Sequence, residues 1–419
     1  QAIVERYLEA NRWWYLAAPV ANAQSNVFDA ANSQHKLYYY NESLPGYVEI
    51  ADNTTDLYGE QIPLMTGFAA KYTDSDFLAS FSGSLNTGEI SAELTRTNSV
   101  SHEGFNLAGN PYPSALNWND ASIGKTNIAN SIWYRTNSTF ASYNGNTGLG
   151  VNGGQPFIPA LQAFWVRVSD GYNSGILSVA NDARVHGQEN FYKADNQDLP
   201  VIRIRVQKDD LSDEIALCFA KKAQFGYDPY DTRKFGDQEM NVQISSEDRD
   251  GEKYAIQALP EKTEQTVVPL EIQSRNSGMH QITFEFSNYS GYAYLEDTKM
   301  NKFIDVQETP GISIQTDQDE TGRYLLHLNK NSTIDVFEEN GMPSENPFSI
   351  YSNGKNIYVA GFTKEENPVV EIYNLTGAMI RKVKVYKDLT KIVINNGPGT
   401  YIIKIQTKLG VYAKKIYIE

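Results

Sequence analysis

The chain has one cysteine, five scattered histidines and fewer basic than acidic residues, and each shortage removes a class of protein. Cys218 alone permits no intramolecular disulfide. It lies in the run Glu214-Ile-Ala-Leu-Cys-Phe-Ala220, whose alternation suits a strand with a buried thiol acting as a small hydrophobe rather than a nucleophile. His35, His102, His186, His280 and His327 form no His-x-His or His-x-x-x-His pair, so no metal centre is expected. No stretch reaches the roughly 18 uncharged apolar residues of a membrane helix, so no span is expected. The 36 basic residues fall short of the 51 acidic ones, and a net charge of -15 repels a phosphate backbone, so nucleic acid is not expected as a partner.

Catalytic motifs are equally scarce. Gly148-Leu-Gly-Val-Asn-Gly153 has the spelling of a dinucleotide loop, but it runs into Gly154-Gln-Pro-Phe rather than a helix, so a plain loop is expected. Ser246–Gly251 and Asp317–Gly322 imitate calcium loops, yet Gln257 and Leu328 stand where the twelfth-position glutamate belongs, which predicts hairpin tips. There is no Gly-x-Ser-x-Gly elbow. Acid pairs such as Asp209-Asp210 and Glu365-Glu366 would serve a glycoside or other hydrolase only if a cleft fixed their separation. The expectation is a protein without catalytic residue, cofactor or metal, with a hydrolase as the lesser alternative.

What the chain does have is burial capacity and strand pattern. Hydrophobic residues make up 41%, including 27 Tyr, 18 Phe and 5 Trp, which is too much for disorder. A length of 419 residues favours two or three domains. Charge divides the chain into zones: 9 basic and 17 acidic residues up to position 190, 16 and 28 over 191–340, and 11 and 6 over 341–419. All five tryptophans fall in the first zone. Polar stretches at 192–200 and 338–347 read as linkers, giving an aromatic, Asn-rich domain at 1–192, an acidic one at 193–340 and a basic one at 341–419. Period-two runs recur throughout, among them Lys36–Tyr40, Ala163–Val168, Val201–Val206, Gln281–Phe286 and Tyr401–Ile405, with turn signals between them. Ile3–Leu8 fits a short helix or an opening strand equally. The fold class expected is all-β, as tandem antiparallel β-sandwich domains.

Ordered segments near the C-terminus carry a resemblance: Ile350–Val359, Val370-Glu-Ile-Tyr-Asn-Leu-Thr-Gly-Ala-Met-Ile380, Gly397-Pro-Gly-Thr-Tyr-Ile-Ile-Lys-Ile405 and Ala413-Lys-Lys-Ile-Tyr-Ile418. Together they resemble the type A sorting domain of proteins exported by the type IX secretion system, a small Ig-like sandwich read by the export machinery. Gly377 is placed to close a hairpin and Gly399 to admit the Tyr401 strand, while Lys404, Lys414 and Lys415 would keep a basic face exposed. The phrases Arg12–Pro19, Gly104–Ser114 and Ile158–Val166 are similar to an N-terminal module of the same class of surface proteins, and 193–340 looks like the sandwich that links it to the sorting domain. The resemblance implies an extracellular or outer cell-surface location, a secretion-machinery partner and a module typically lost after export. The start at Gln1, without a charged and apolar leader, fits removal of a signal peptide or of a longer upstream segment.

A ligand argument comes from the tryptophans. Trp14, Trp133 and Trp165, with neighbouring Asn, Asp and Tyr, are candidates for a platform on which sugar rings stack, the alternative to their forming the core. Alternation in Ala163–Val168 puts Phe164 and Val166 on one face and Trp165 and Arg167 on the other, leaving one face to open on a glycan or surface protein.

Overall fold

The computed structural model describes residues 1–419 except 29–34, 45, 51–60, 98–102, 137–138, 186–198, 237–241, 249, 262–264, 301, 317–321, 330–348, 354, 361–367, 386–388, 408–410 and 419. The fold is all-β. Strands run from Ala2–Leu8 to Val411–Ile418, and the only helical elements among the described residues are two short 3-10 turns. Ile3–Leu8 is thus a strand, paired antiparallel with Phe77–Gly83. The chain separates into two compact units, Gln1–Gln197 and Asp198–Glu419. Most of the two expected linkers, 192–198 and 338–347, lies outside the described residues.

In the first unit a four-stranded sheet runs in the order Trp13–Ala17, Gly67–Tyr72, His35–Asn41, Gly46–Glu49. One face carries Leu16, Leu37, Phe68 and Ala70, which close a core with Leu8, Phe28, Ala79 and Phe81. A five-stranded sheet, containing Ser131–Arg135, Ala163–Arg167 and Phe105–Gly109, buries Ile132, Tyr143, Phe164 and Val166 in a second core with Tyr112 and Trp118. The Gly-Asn-Pro-Tyr-Pro-Ser phrase ties these layers together. A side chain at Gly109 would press on Ala17 and Thr66 at 2.4 and 2.8 Å, so only glycine lets the sheets approach there. Asn110, fully buried, donates Nδ2 to the carbonyls of Ser114 (2.9 Å), Ile158 (3.2 Å) and Pro159 (2.9 Å), and its Oδ1 accepts from Tyr112 N. One side chain satisfies backbone that two prolines leave without ladder partners.

The second unit holds one long sheet in the order Lys302–Asp305, Tyr292–Asp297, Tyr324–Asn329, Gln265–Ser274, Val242–Glu247, Lys253–Pro260, Leu211–Ala220, Val201–Lys208, Gly278–Ser287, Gly311–Thr316. Strands from both ends of this path share one core, with Leu295 and Leu326 packed in the same cluster as Ile282 and Ile312, so the sheet curls onto itself. One pairing departs from the antiparallel expectation: Leu211–Ala220 lies parallel to Lys253–Pro260. The intervening chain is long enough for such a crossover, and Asp228 and Asp231 pin it. Asp231 accepts from Ala258 N (2.7 Å) and Asp228 N (2.8 Å), and Asp228 accepts from Gln224 N and Tyr230 N.

Burial drives the Asp231 carboxyl up to about 8, against those two backbone donors. It therefore holds a proton in the folded chain that the unfolded chain has already released. Unfolding stability of this unit should fall as pH rises from about 4 through about 8, at up to roughly 1.4 kcal/mol per pH unit. Urea midpoints at pH 5 and pH 8 measure this. A midpoint that climbs over that interval, or an equally steep fall in Asp231→Asn, contradicts the assignment.

Residues 349–418 build two further sheets. Ser349–Asn353, Asn356–Ala360 and Leu389–Val393 form one, and Met379–Lys384, Val369–Asn374, Gly399–Gln406 and Val411–Ile418 form the other. Ile357, Val370, Ile372, Ile392, Ile403 and Ile416 make their shared core. Tyr358 also packs with Val267 and Leu325 of the long sheet.

Candidate functional site

The structure places the three singled-out tryptophans in packed surroundings. Trp133 and Trp165 are each 1% exposed and sit directly opposite one another on neighbouring strands. Phe105 meets the Trp133 ring edge-on at 5.0 Å, and Tyr40 and Tyr15 meet that of Trp165 at 4.7 and 6.2 Å. Trp14 is half-buried against the first core, its Nε1 donates to the Glu9 carbonyl, and the Arg12 guanidinium covers its ring at 4.0 Å. None of the three offers a bare ring. The expected open face of Ala163–Arg167 is absent too, since every residue of that strand is buried, because both sides of this sheet are covered.

An aromatic surface does exist, one residue over. On the four-stranded sheet, the face opposite the core carries Trp13, Tyr38, Tyr40 and Tyr47, set by the register Trp13↔Lys71↔Lys36, Tyr38↔Glu49 and Tyr40↔Tyr47. Ring centroids are 5.8 Å apart for Trp13–Tyr38, 6.2 Å for Tyr38–Tyr47 and 5.6 Å for Tyr40–Tyr47, with interplanar angles of 55°, 73° and 78°. The far end rests on Trp165, while Tyr47 is 44% exposed and Trp13, Tyr38 and Tyr40 are partly so. Burial first, then the charge and hydrogen bond of Glu49, raises the Tyr38 phenol. Burial and then Glu42 push Tyr40 up to about 12, so both hydroxyls stay protonated donors. Lys71 lies 5.9 Å from the Trp13 ring centre. Neighbouring residues on a strand face opposite ways, so Trp13-Trp14 had to split between the faces. The sequence offered no reason to prefer Trp13.

At the C-terminal end, Gly377 has φ 83° and closes the Asn374–Gly377 turn, where only glycine is unstrained. Gly399 has φ 154° and opens the strand carrying Tyr401, which is buried and donates its hydroxyl to the Gly397 carbonyl at 2.8 Å. The register puts Lys404 opposite Glu371 and Ala413, and Lys415 opposite Ile402 on that same face, but Lys414 faces the core side with Ile403. Three lysines on one face is therefore corrected to Lys404 and Lys415, joined by Lys382 opposite Glu371. Lys382 (2.7 Å), Tyr373 and Lys404 (3.4 Å) hold the Glu371 carboxyl down at about 2.

Other chemical candidates resolve into structure. Cys218 is fully buried and burial pushes its thiol far up. Gly148–Gly153 spans a short strand and a turn. Ser246–Gly251 is a hairpin tip, with Asp248 accepting from Asp250 N and Glu252 N; most of Asp317–Gly322 lies outside the described residues. Among the described residues no three His, Cys, Asp or Glu side chains converge to hold a metal ion, and no helix is long and apolar enough to cross a membrane.

Residues 4–327 match the family model described as a domain of unknown function (DUF8693). The minor fimbrium subunit Mfa5 of Porphyromonas gingivalis is 20% identical over 364 residues, which are 78% of this chain and 28% of that protein. The chain thus spans under a third of the length of the curated relative it matches. The crystal structure of Ruminococcus gnavus β-glucuronidase aligns with 98% of this chain and 46% of its own at 9% identity, with a TM-score of 0.13, which carries no argument.

Proposed function

The chain belongs to the DUF8693 family, and from that premise we propose that it is an exported, non-enzymatic cell-surface protein, acting by binding or adhesion and carrying a C-terminal sorting or anchoring domain. The observation that carries the binding part is the partly exposed aromatic strip on a rigid sheet: aromatic rings give large contact area at little entropic cost, and a sheet holds them in place. Similarity to a fimbrium subunit agrees with a surface role.

The organisation proposed is 1–192, 193–340 and 341–419. Supporting it, the apolar clusters among the described residues draw on 8–183, 202–328 and 350–418 separately, apart from the Tyr358 contact. The family match stops at residue 327, short of the last segment, and that segment's three-plus-four strand arrangement suits an Ig-like sandwich. Its partner on this reading is the secretion machinery, with Gly377, Gly399, Tyr401, Lys404 and Lys415 building the recognised module. Deleting 341–419 in the native host should trap the chain inside the cell, and fusing the segment to a periplasmic reporter should send the reporter out. Delivery of the truncated chain to the surface rules the sorting role out.

A further inference from the structure

We propose that the strip of Trp13, Tyr38, Tyr40 and Tyr47, together with Lys36 and Lys71, binds an acidic glycan, one whose sugars bear carboxylate or sulfate groups; this rests on reading the N-terminal unit as the binding part of a surface protein. A sugar ring has an apolar C–H face and a hydroxylated rim. Partly exposed aromatic rings accept the first, and the Tyr38 and Tyr40 hydroxyls and exposed Glu49 suit the second. Successive rings are tilted by 55°, 73° and 78°, which excludes stacking on a flat crystalline sheet and suits a single twisted chain.

Charge supplies the selectivity. Lys36 and Lys71 are directly opposite on adjacent strands, about 5 Å apart in backbone, and like charges so placed repel. Neither has a carboxylate partner among the described residues. They lie in a zone where 17 acidic residues outnumber 9 basic ones, so an uncompensated cation pair beside Trp13 is a local inversion of sign. An anion on the sugar held by Trp13 relieves that repulsion. Glu49 sits one row further along the sheet, which keeps anionic groups to the lysine end and gives the bound chain a direction. A peptide would instead pair through its backbone with Gly46–Glu49, the last strand of this sheet among the described residues.

The test is an array of uronate-, sialate- and sulfate-bearing glycans beside their neutral counterparts, probed with the full chain and followed by calorimetry on the strongest hit. Wild type should bind anionic members and not their neutral counterparts. Lys36→Gln/Lys71→Gln should lose roughly tenfold in affinity, about 0.5 M salt should bring wild type to the same level, and Trp13→Ala should lose binding altogether with unchanged circular dichroism. Equal binding of neutral counterparts, an unaffected lysine double variant, or binding of polyglutamate alone overturns the proposal. Antibody labelling of intact cells is scored separately: a surface-exposed chain with no glycan hit sinks this inference only, while a chain absent from the surface sinks the reading beneath it.

Discussion

Trp165→Ala should lower the stability of the N-terminal unit by about 3–5 kcal/mol. The indole is 1% exposed, and Tyr15, Tyr40 and Tyr47 meet it edge-on from the strip side. Removing it opens a cavity that three rings on a hydrogen-bonded sheet cannot fill. Trp165→Phe should recover roughly half of the loss, since most of the volume returns. All five tryptophans lie before residue 170, so tryptophan fluorescence in a urea titration reads this unit without interference from the second. Any ligand of the strip should be lost alongside, because Tyr40 and Tyr47 take their position from the ring below. A loss under about 1 kcal/mol would mean that the sheets collapse over the gap and that Trp165 is not their support.

The second large effect belongs to the other unit. Asp213 is fully buried on the core side of its strand, where it accepts from Lys234 Nζ at 2.5 Å and from Ile244 N at 2.8 Å; Lys234 is itself only 9% exposed. Asp213→Ala strands a buried ammonium and a backbone donor together, and should cost about 3–5 kcal/mol. Replacing both partners, as Asp213→Leu with Lys234→Met, should restore much of that, because the penalty is the uncompensated charge rather than the missing contact. The part of the far-ultraviolet circular dichroism transition at about 218 nm in urea that tryptophan fluorescence does not share reports this unit, since both units are β and every tryptophan is in the first. A double variant as unstable as the single one would refute the account.

Much of the fold was legible because it rests on period two. Val201–Val206, Gln281–Phe286 and Tyr401–Ile405 became strands with alternate apolar residues such as Ile204, Ile282 and Ile403 inward, although Ile402 turns outward. The parallel pairing of Leu211–Ala220 with Lys253–Pro260 was not, since alternation carries no information about strand direction or order. The tryptophans show the limit more sharply. Composition identified an aromatic zone and allowed that the rings are core, which Trp133 and Trp165 are. Which of Trp13 and Trp14 faces outward depends on what a second sheet covers, a long-range fact. Lys36-Leu-Tyr-Tyr-Tyr40 held the missing signal: Tyr38 and Tyr40 share a face with Lys36, and a lysine marks the side that meets water. Lys414 and Lys415 failed for the same elementary reason, as adjacent residues cannot share a face of a strand.

Asn110, whose amide is committed to three carbonyls and one backbone N–H, is followed by Pro111. Deamidation proceeds by attack of the next residue's backbone nitrogen on the asparagine carbonyl carbon, and proline has no hydrogen to give up there. The residue that clasps the layers of the first unit is thereby spared chemical ageing. Exposed Asn396, which precedes Gly397, has no such protection, so the passage of time marks the C-terminal end of this protein before it reaches that clasp.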